Sequence, residues 1–145
     1  MPDCLLDTNV LIYLVSAGAP EHVAATAAVG RILASGAKAV IAAQSIYEFW
    51  SVATRPVTAN GLGWTVERTR STVGTLLARF PILYEPPEVV GIWIGIVTER
   101  GVKGKRVHDA HLLATMKANG VSHLLTFNAS DFPAMDDLAI LPPAC

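Results

Sequence analysis

The sequence predicts an α/β domain built on a mostly parallel sheet flanked by helices. Short apolar, β-compatible runs alternate with longer helix-patterned segments. Capping residues, prolines and glycines punctuate those segments. A length of 145 residues with 52% hydrophobic content supports one core and one domain, expected over 1–145.

The elements follow in order. Cys4–Leu6 reads as a short strand ending at Asp7. Thr8 is placed to cap a helix running through Leu11, Ile12 and Leu14 to about Ser16. Gly18-Ala19-Pro20 breaks it, and Pro20 opens a second helix that ends near Gly36. Ala39–Ala42 reads as a buried strand, followed by a helix from about Gln44 to Thr54 that Pro56 stops. Asn60-Gly61-Leu62-Gly63 is turn-rich. Thr65 starts a helix that ends before Pro81, and Ile82–Tyr84 is a short strand. Glu88 to Glu99 follows Pro86-Pro87 as a helix. A basic loop leads to a strong helix over Val107–Ala118, closed by Asn119-Gly120. His123–Thr126 and Leu138–Leu141 complete the strands.

Several classes are excluded or disfavoured. The longest apolar run, around Ala37–Ala43, is too short to span a bilayer. The N-terminus lacks a basic region, and Asp7 interrupts its first apolar run, so no signal peptide is expected. The two cysteines, Cys4 and Cys145, make neither a disulfide framework nor a zinc site. A cytoplasmic protein without membrane association is the expectation. Net charge is −1, so global charge does not announce a nucleic-acid binder. Its distribution is more informative. Arg100, Lys103, Lys105 and Arg106 form a local basic patch that can hold phosphates, with a solvated loop as the ordinary alternative.

Three acids stand in apolar surroundings. Asp7 follows Cys4-Leu5-Leu6, Glu48 lies inside Ile46-Tyr47-Glu48-Phe49-Trp50, and Asp109 precedes Ala110-His111-Leu112-Leu113-Ala114. Leu112, Leu113 and Met116 put Asp109 on a sheet-packing face. An ionised carboxylate is costly to bury unless paired or bound to metal. The nearby segments hold too few bases to pair all three. Gathered carboxylates repel, and a divalent cation removes that repulsion; all-oxygen ligands suit Mg²⁺ or Mn²⁺. Each acid has a plainer role open to it. Asp7 could cap a helix, Glu48 could face solvent, and Asp109 could serve the helix dipole. The case rests on all three falling on successive βα units. Asn128 and Asp131, after the strand ending at Thr126, are candidates to complete the site. An Asx-type turn is their alternative.

Four segments together resemble one family. They are Leu5-Leu6-Asp7-Thr8-Asn9-Val10-Leu11-Ile12, Gln44-Ser45-Ile46-Tyr47-Glu48-Phe49-Trp50, His108-Asp109-Ala110-His111-Leu112-Leu113-Ala114, and Leu125-Thr126-Phe127-Asn128-Ala129-Ser130-Asp131-Phe132. Their order and spacing are similar to those of PIN-domain nucleases, in particular VapC-type toxins of bacterial toxin–antitoxin pairs. The resemblance spans nearly the whole chain. It implies a three-layer PIN-like domain with the acids gathered at one sheet edge. It implies Mg²⁺- or Mn²⁺-dependent cleavage of RNA such as tRNA, a homodimer, and a cognate antitoxin protein.

The family's first three acids fall on Asp7, Glu48 and Asp109. Its fourth falls on Asn128 or Asp131, and the first of these is an amide here. Catalytic and metal-binding roles are therefore expected for Asp7, Glu48, Asp109 and Asp131. Thr8, Asn9, Thr126 and Asn128 are expected to support the ligand carboxylates by hydrogen bonds. The basic patch is expected to hold the RNA backbone. His111, two residues from Asp109, faces elsewhere and is not assigned as a base. Trp50, Trp64 and Trp93 are expected to pack, not to stack on bases.

Rival folds fit poorly. A haloacid-dehalogenase-like phosphatase wants a second Asp where Asn9 stands, and a response-regulator receiver wants a lysine after Thr126. A PIN-like module that binds RNA or protein without cutting remains the alternative.

Overall fold

A computed structural model of the chain describes residues 1–143, so Cys145 lies outside the described residues. Five strands, β1 (Cys4–Leu6), β2 (Ala39–Ala42), β3 (Ile82–Leu83), β4 (His123–Leu125) and β5 (Ala139–Leu141), form one sheet in the order β3-β2-β1-β4-β5. Every pairing between neighbours is parallel. Among the described residues, six α-helices accompany them: α1 (Thr8–Leu14), α2 (His22–Ala34), α3 (Ala43–Thr54), α4 (Val66–Arg79), α5 (Val89–Arg100) and α6 (Val107–Ala118).

The three layers follow from the two-residue period of the strands. Cys4, Leu6, Ile41 and Leu125 face one side and pack with residues of α1 to α4. Leu5, Val40 and Leu124 face the other and pack with α5 and α6. The central strand β1 is therefore buried on both faces, which is why it reads as an unbroken apolar run. Phe49 on α3 is fully buried and meets Trp64 edge-to-face, with ring centroids 6.2 Å apart. Trp93 donates its indole N–H to Val107 O at 2.8 Å. These two tryptophans are thus structural, and Trp50 packs against the first core.

Several boundaries differ from the sequence reading, each for a local reason. The cap of α1 is Asp7, not Thr8: its carboxylate accepts the Thr8 N–H at 2.7 Å, and Thr8 is the first helical residue. This frees the Thr8 hydroxyl for a long-range contact. Helix α2 begins at His22 because Pro20 sits in a turn closed by His22 N–H to Ala19 O. The strand at Ile82 stops at Leu83. Three stretches read as loops contain short 3-10 turns, at Val57–Ala59, Gly104–Arg106 and Ala129–Asp131. The second leads the basic segment directly into α6.

One turn requires glycine by close approach. A Cβ at Gly61 would lie 2.0 Å from Arg55 O. The Gly61 N–H bonds to Pro56 O, and the Gly63 N–H to Arg55 O. That tight return holds Asn60 in the left-handed region at φ 61°.

Candidate active site

In an open parallel sheet, ligands bind outside the carboxyl ends of the strands. A cleft of about 380 Å³ opens at that edge, and its walls include Asp7, Glu48, Asp109 and Asn128. Asp7 arrives from the end of β1, Glu48 from the second turn of α3, and Asp109 from the first turn of α6. Fold connectivity alone makes them neighbours. Thr8, Asn9, Tyr13 and Asn60 also line the cleft.

The carboxylates are held by neutral donors. Asp7 Oδ1 accepts the Thr8 N–H at 2.7 Å, and Oδ2 accepts the Thr126 hydroxyl at 2.8 Å. Thr126 is fully buried and also accepts from Asn9 Nδ2 and from the Asn128 N–H. Asn9 Oδ1 in turn accepts the Phe127 N–H at 3.1 Å. This closed network ties the end of β1 to the end of β4. Glu48 is fixed from two sides: the Thr8 hydroxyl donates to Oε2 at 2.7 Å, and Gln44 Nε2 donates to Oε1 at 2.9 Å. Each acid so held keeps lone pairs for a ligand, since a carboxylate offers about four acceptor sites.

Among the described residues, no Lys, Arg or His lines the cleft, although Arg106 and His108 act on Asp109 from outside it. Burial pushes the Asp7 carboxyl up to about 6, assisted by the charges of Glu48 and Asp109 and opposed by its hydrogen bonds to Thr126 and Thr8. Asp109 is also raised, by burial first and then by Asp131, with Arg106 acting the other way. Burial is therefore the main strain on both acids, and their neighbours' charges add to it.

Among the described residues, no three His, Cys, Asp or Glu side chains close into a ready-made metal cage. An open set of carboxylate oxygens is what Mg²⁺ or Mn²⁺ uses. Such ions keep several waters and take one or two carboxylates plus substrate phosphate oxygens. The donor chemistry and the raised Asp7 therefore fit a divalent cation of that kind. They do not fit a structural zinc site.

Asp131 differs from its sequence-derived expectation. Its carboxylate pairs with Arg106 at 3.3 Å, and Arg106 also donates to Asp131 O at 3.0 Å. It lines a neighbouring groove of about 540 Å³ instead of the carboxylate cleft, although it is near enough to raise Asp109. Asn128, at the other candidate position, does line the cleft. The 3-10 turn at Ala129–Asp131 is the reason, since it swings the two side chains apart. Arg100, Lys103 and Arg106 line the same groove; Lys105 does not.

The sequence reading assigns no role to Gln44 or Asn60. Gln44 stands four residues before Glu48, one helical turn away on the same face, and that spacing is a usable signal. Asn60 carries no comparable signal, because only the Gly61 turn brings it over the cleft. His111 faces away from Asp109 as expected, toward Glu85.

Comparison with known proteins agrees with this architecture. The family model for the PIN domain matches residues 4–138. Ribonuclease VapC24 of Mycobacterium tuberculosis is 28% identical over 135 residues, covering 88% of this chain and 87% of the relative. DNA-bound VapBC from Salmonella typhimurium superposes with a TM-score of 0.69 at 18% identity, covering 99% of both chains. VapBC2 from Rickettsia felis bound to a promoter DNA fragment gives 0.68 at 16% identity, covering 98% of both. On the match to its family model, the chain belongs to the PIN-domain family.

Proposed function

We propose that the chain is a divalent-metal-dependent endoribonuclease and the toxin of a bacterial toxin–antitoxin pair. The observation that carries this reading is the convergence of Asp7, Glu48 and Asp109 on one open cleft beside a basic groove. Its likeness to a protein named as a ribonuclease supports the chemistry. The VapBC complexes among its structural neighbours support a protein antitoxin as partner. A homodimer, a cytoplasmic setting and a structured RNA target such as tRNA belong to the same proposal.

Asp7 and Asp109 would hold Mg²⁺ or Mn²⁺, with Glu48 contributing directly or through water. Bound there, the ion supplies Lewis acidity for in-line hydrolysis of a phosphodiester. The protein's own residues do the positioning. Thr126 and Thr8 orient the Asp7 carboxylate, and Thr8 with Gln44 orients Glu48. Arg100, Lys103 and Arg106 would bind backbone phosphates next to the cut. Asp131 would serve by holding Arg106 at the groove and by adding negative charge near Asp109.

The decisive experiment is cleavage of total RNA with Mg²⁺ or Mn²⁺ against an EDTA control. Asp7→Asn and Asp109→Asn should each abolish cleavage while the circular dichroism spectrum stays native. Full activity in both variants sinks the mechanism. RNA binding without any cleavage by the unaltered chain would point instead to a binding module.

A further inference from the structure

A second cavity lies against the carboxylate cleft and shares Glu48 with it as a wall. It measures about 370 Å³ and is lined by Gln44, Tyr47, Glu48, Glu85, His108 and His111. Its position is set by the fold. Gln44 and Tyr47 stand in the first turns of α3, which starts directly after β2, and Glu85 follows the end of β3. The cavity therefore continues the same carboxyl edge of the sheet. Apart from Gln44 and Glu48, its walls have no part in the hydrolytic chemistry.

Its walls have two chemical properties. They are flat and aromatic: Tyr47 is 72% exposed, and two imidazoles stand with it. They are also rich in acceptors whose donors are already engaged. Gln44 Nε2 donates to Glu48 Oε1 and to His108 O, which fixes the orientation of the amide. Gln44 Oε1 is buried beneath the wall, so the acceptor that a ligand meets is the half-exposed carboxylate of Glu85. His111 Nε2 pairs with Glu85 Oε1. That contact holds the Glu85 carboxylate at the cavity while its second oxygen takes no partner among the described residues.

A flat ligand that presents adjacent N–H donors matches both properties. Single-stranded RNA bases are recognised by stacking on aromatic side chains and by hydrogen bonds along their edges. Guanine alone carries two neighbouring donors on that edge, N1–H and the N2 amino group. Adenine and cytosine place a donor beside an acceptor, and uracil places one donor between two acceptors. A cavity at the low end of the usual small-ligand range accommodates one base.

We propose that this cavity holds a guanine of the RNA substrate, stacked on Tyr47 with its N1–H/N2 edge donating to Glu85. Because the two cavities share Glu48, that guanine flanks the bond that is cut. The inference rests on the ribonuclease reading for its substrate, and its test is built so the two can fail separately.

The first arm needs no cleavage. The full chain in EDTA is titrated with 5′-GMP, AMP, CMP and UMP while the His111 ring signals are followed by NMR. GMP should shift them and bind roughly tenfold more tightly than the others, as expected for one good polar edge pair. Glu85→Gln should remove that preference. Tyr47→Ala should weaken all four alike, and Tyr47→Phe should restore them; the exposure of Tyr47 makes a folding defect unexpected. The second arm measures cleavage of short RNAs with guanine, inosine or adenine beside the cut. Guanine should be favoured over inosine, which lacks the amino group. Glu85→Gln should erase the difference between guanine and inosine. Equal cleavage of all flanking bases with no GMP-selective shift overturns the guanine site and leaves the nuclease intact. GMP-selective binding abolished by Glu85→Gln, in a chain that never cuts RNA, keeps the site and overturns the nuclease. GMP binding indifferent to both Glu85→Gln and Tyr47→Ala places the base elsewhere and overturns the site.

Discussion

Asp7 and Asp131 follow neighbouring parallel strands, yet they end in opposite surroundings. Asp7 comes off β1 into a cleft whose other charged walls are acids, and it is held there by a hydroxyl and a backbone N–H. Asp131 comes off the segment after β4 into a groove whose walls include Arg100, Lys103 and Arg106, and Arg106 takes its charge. The first region has negative charge without compensation, so it is prepared for a cation. The second has positive charge in excess of its one acid, so it is prepared for an anion. The two lie side by side, and a metal with its bound phosphate would complete both at once. Their contrast explains why an acid count alone misjudges the site: proximity to the cleft and membership in it are separate properties.

The largest expected effect tests the strain on Asp7. Its folded carboxyl lies near 6 against an ordinary value of 3.8. Between those values the folded state keeps a proton that the unfolded state has released. Stability is therefore fully present below about pH 4 and is lost as pH rises through about 6, by roughly 3 kcal/mol in all. Thermal unfolding in EDTA should follow this fall. Asp7→Asn should abolish it, and Mg²⁺ or Mn²⁺ should restore stability at pH 7 but hardly at pH 4. A flat profile for the unaltered chain, or identical profiles for chain and variant, would falsify the idea that Asp7 is a buried carboxylate in need of a cation.

Next in size is the network that joins the two strand ends. Thr126→Val keeps shape but strips Asp7 of a donor and leaves Asn9 and the Asn128 N–H without an acceptor. Cleavage or metal affinity should fall about 10–100-fold, as for other groups that orient metal ligands. A calorimetric metal titration checks the affinity directly, and undiminished binding would show that Asp7 needs no orienting hydroxyl.

The smallest effect belongs to the groove. Arg106→Gln should weaken RNA binding and reduce the slope of log K against log salt by about 1, the share of one phosphate contact. Asp131→Asn should change metal affinity far less than Asp7→Asn does. If the two Asp variants proved equally damaging to metal binding, Asp131 would have to move into the cleft, and the contrast between the regions would dissolve.

Much of this site is legible from local chemistry. Asp7, Glu48 and Asp109 stand out because an acid inside an apolar run must be accounted for. Strands and helices stand out because their periods and caps are written in short windows. Other features are not legible, because they depend on contacts across long stretches of chain. Thr8 reads as a cap, but its hydroxyl is spent on Glu48, forty residues away. His111 and Glu85 meet only because α6 passes the end of β3.

The sequence by itself determined the layered α/β class, the order of the elements and which three acids stand in one cleft. These follow from hydrophobic period, capping residues and the cost of burying charge, all of which act over a few residues. Only the tertiary structure decided that Asn128 faces the cleft and Asp131 the groove. The two are three residues apart, so no periodicity separates them. A single 3-10 turn and one arginine contact send their side chains to different sites, and that choice depends on what the rest of the chain places beside them.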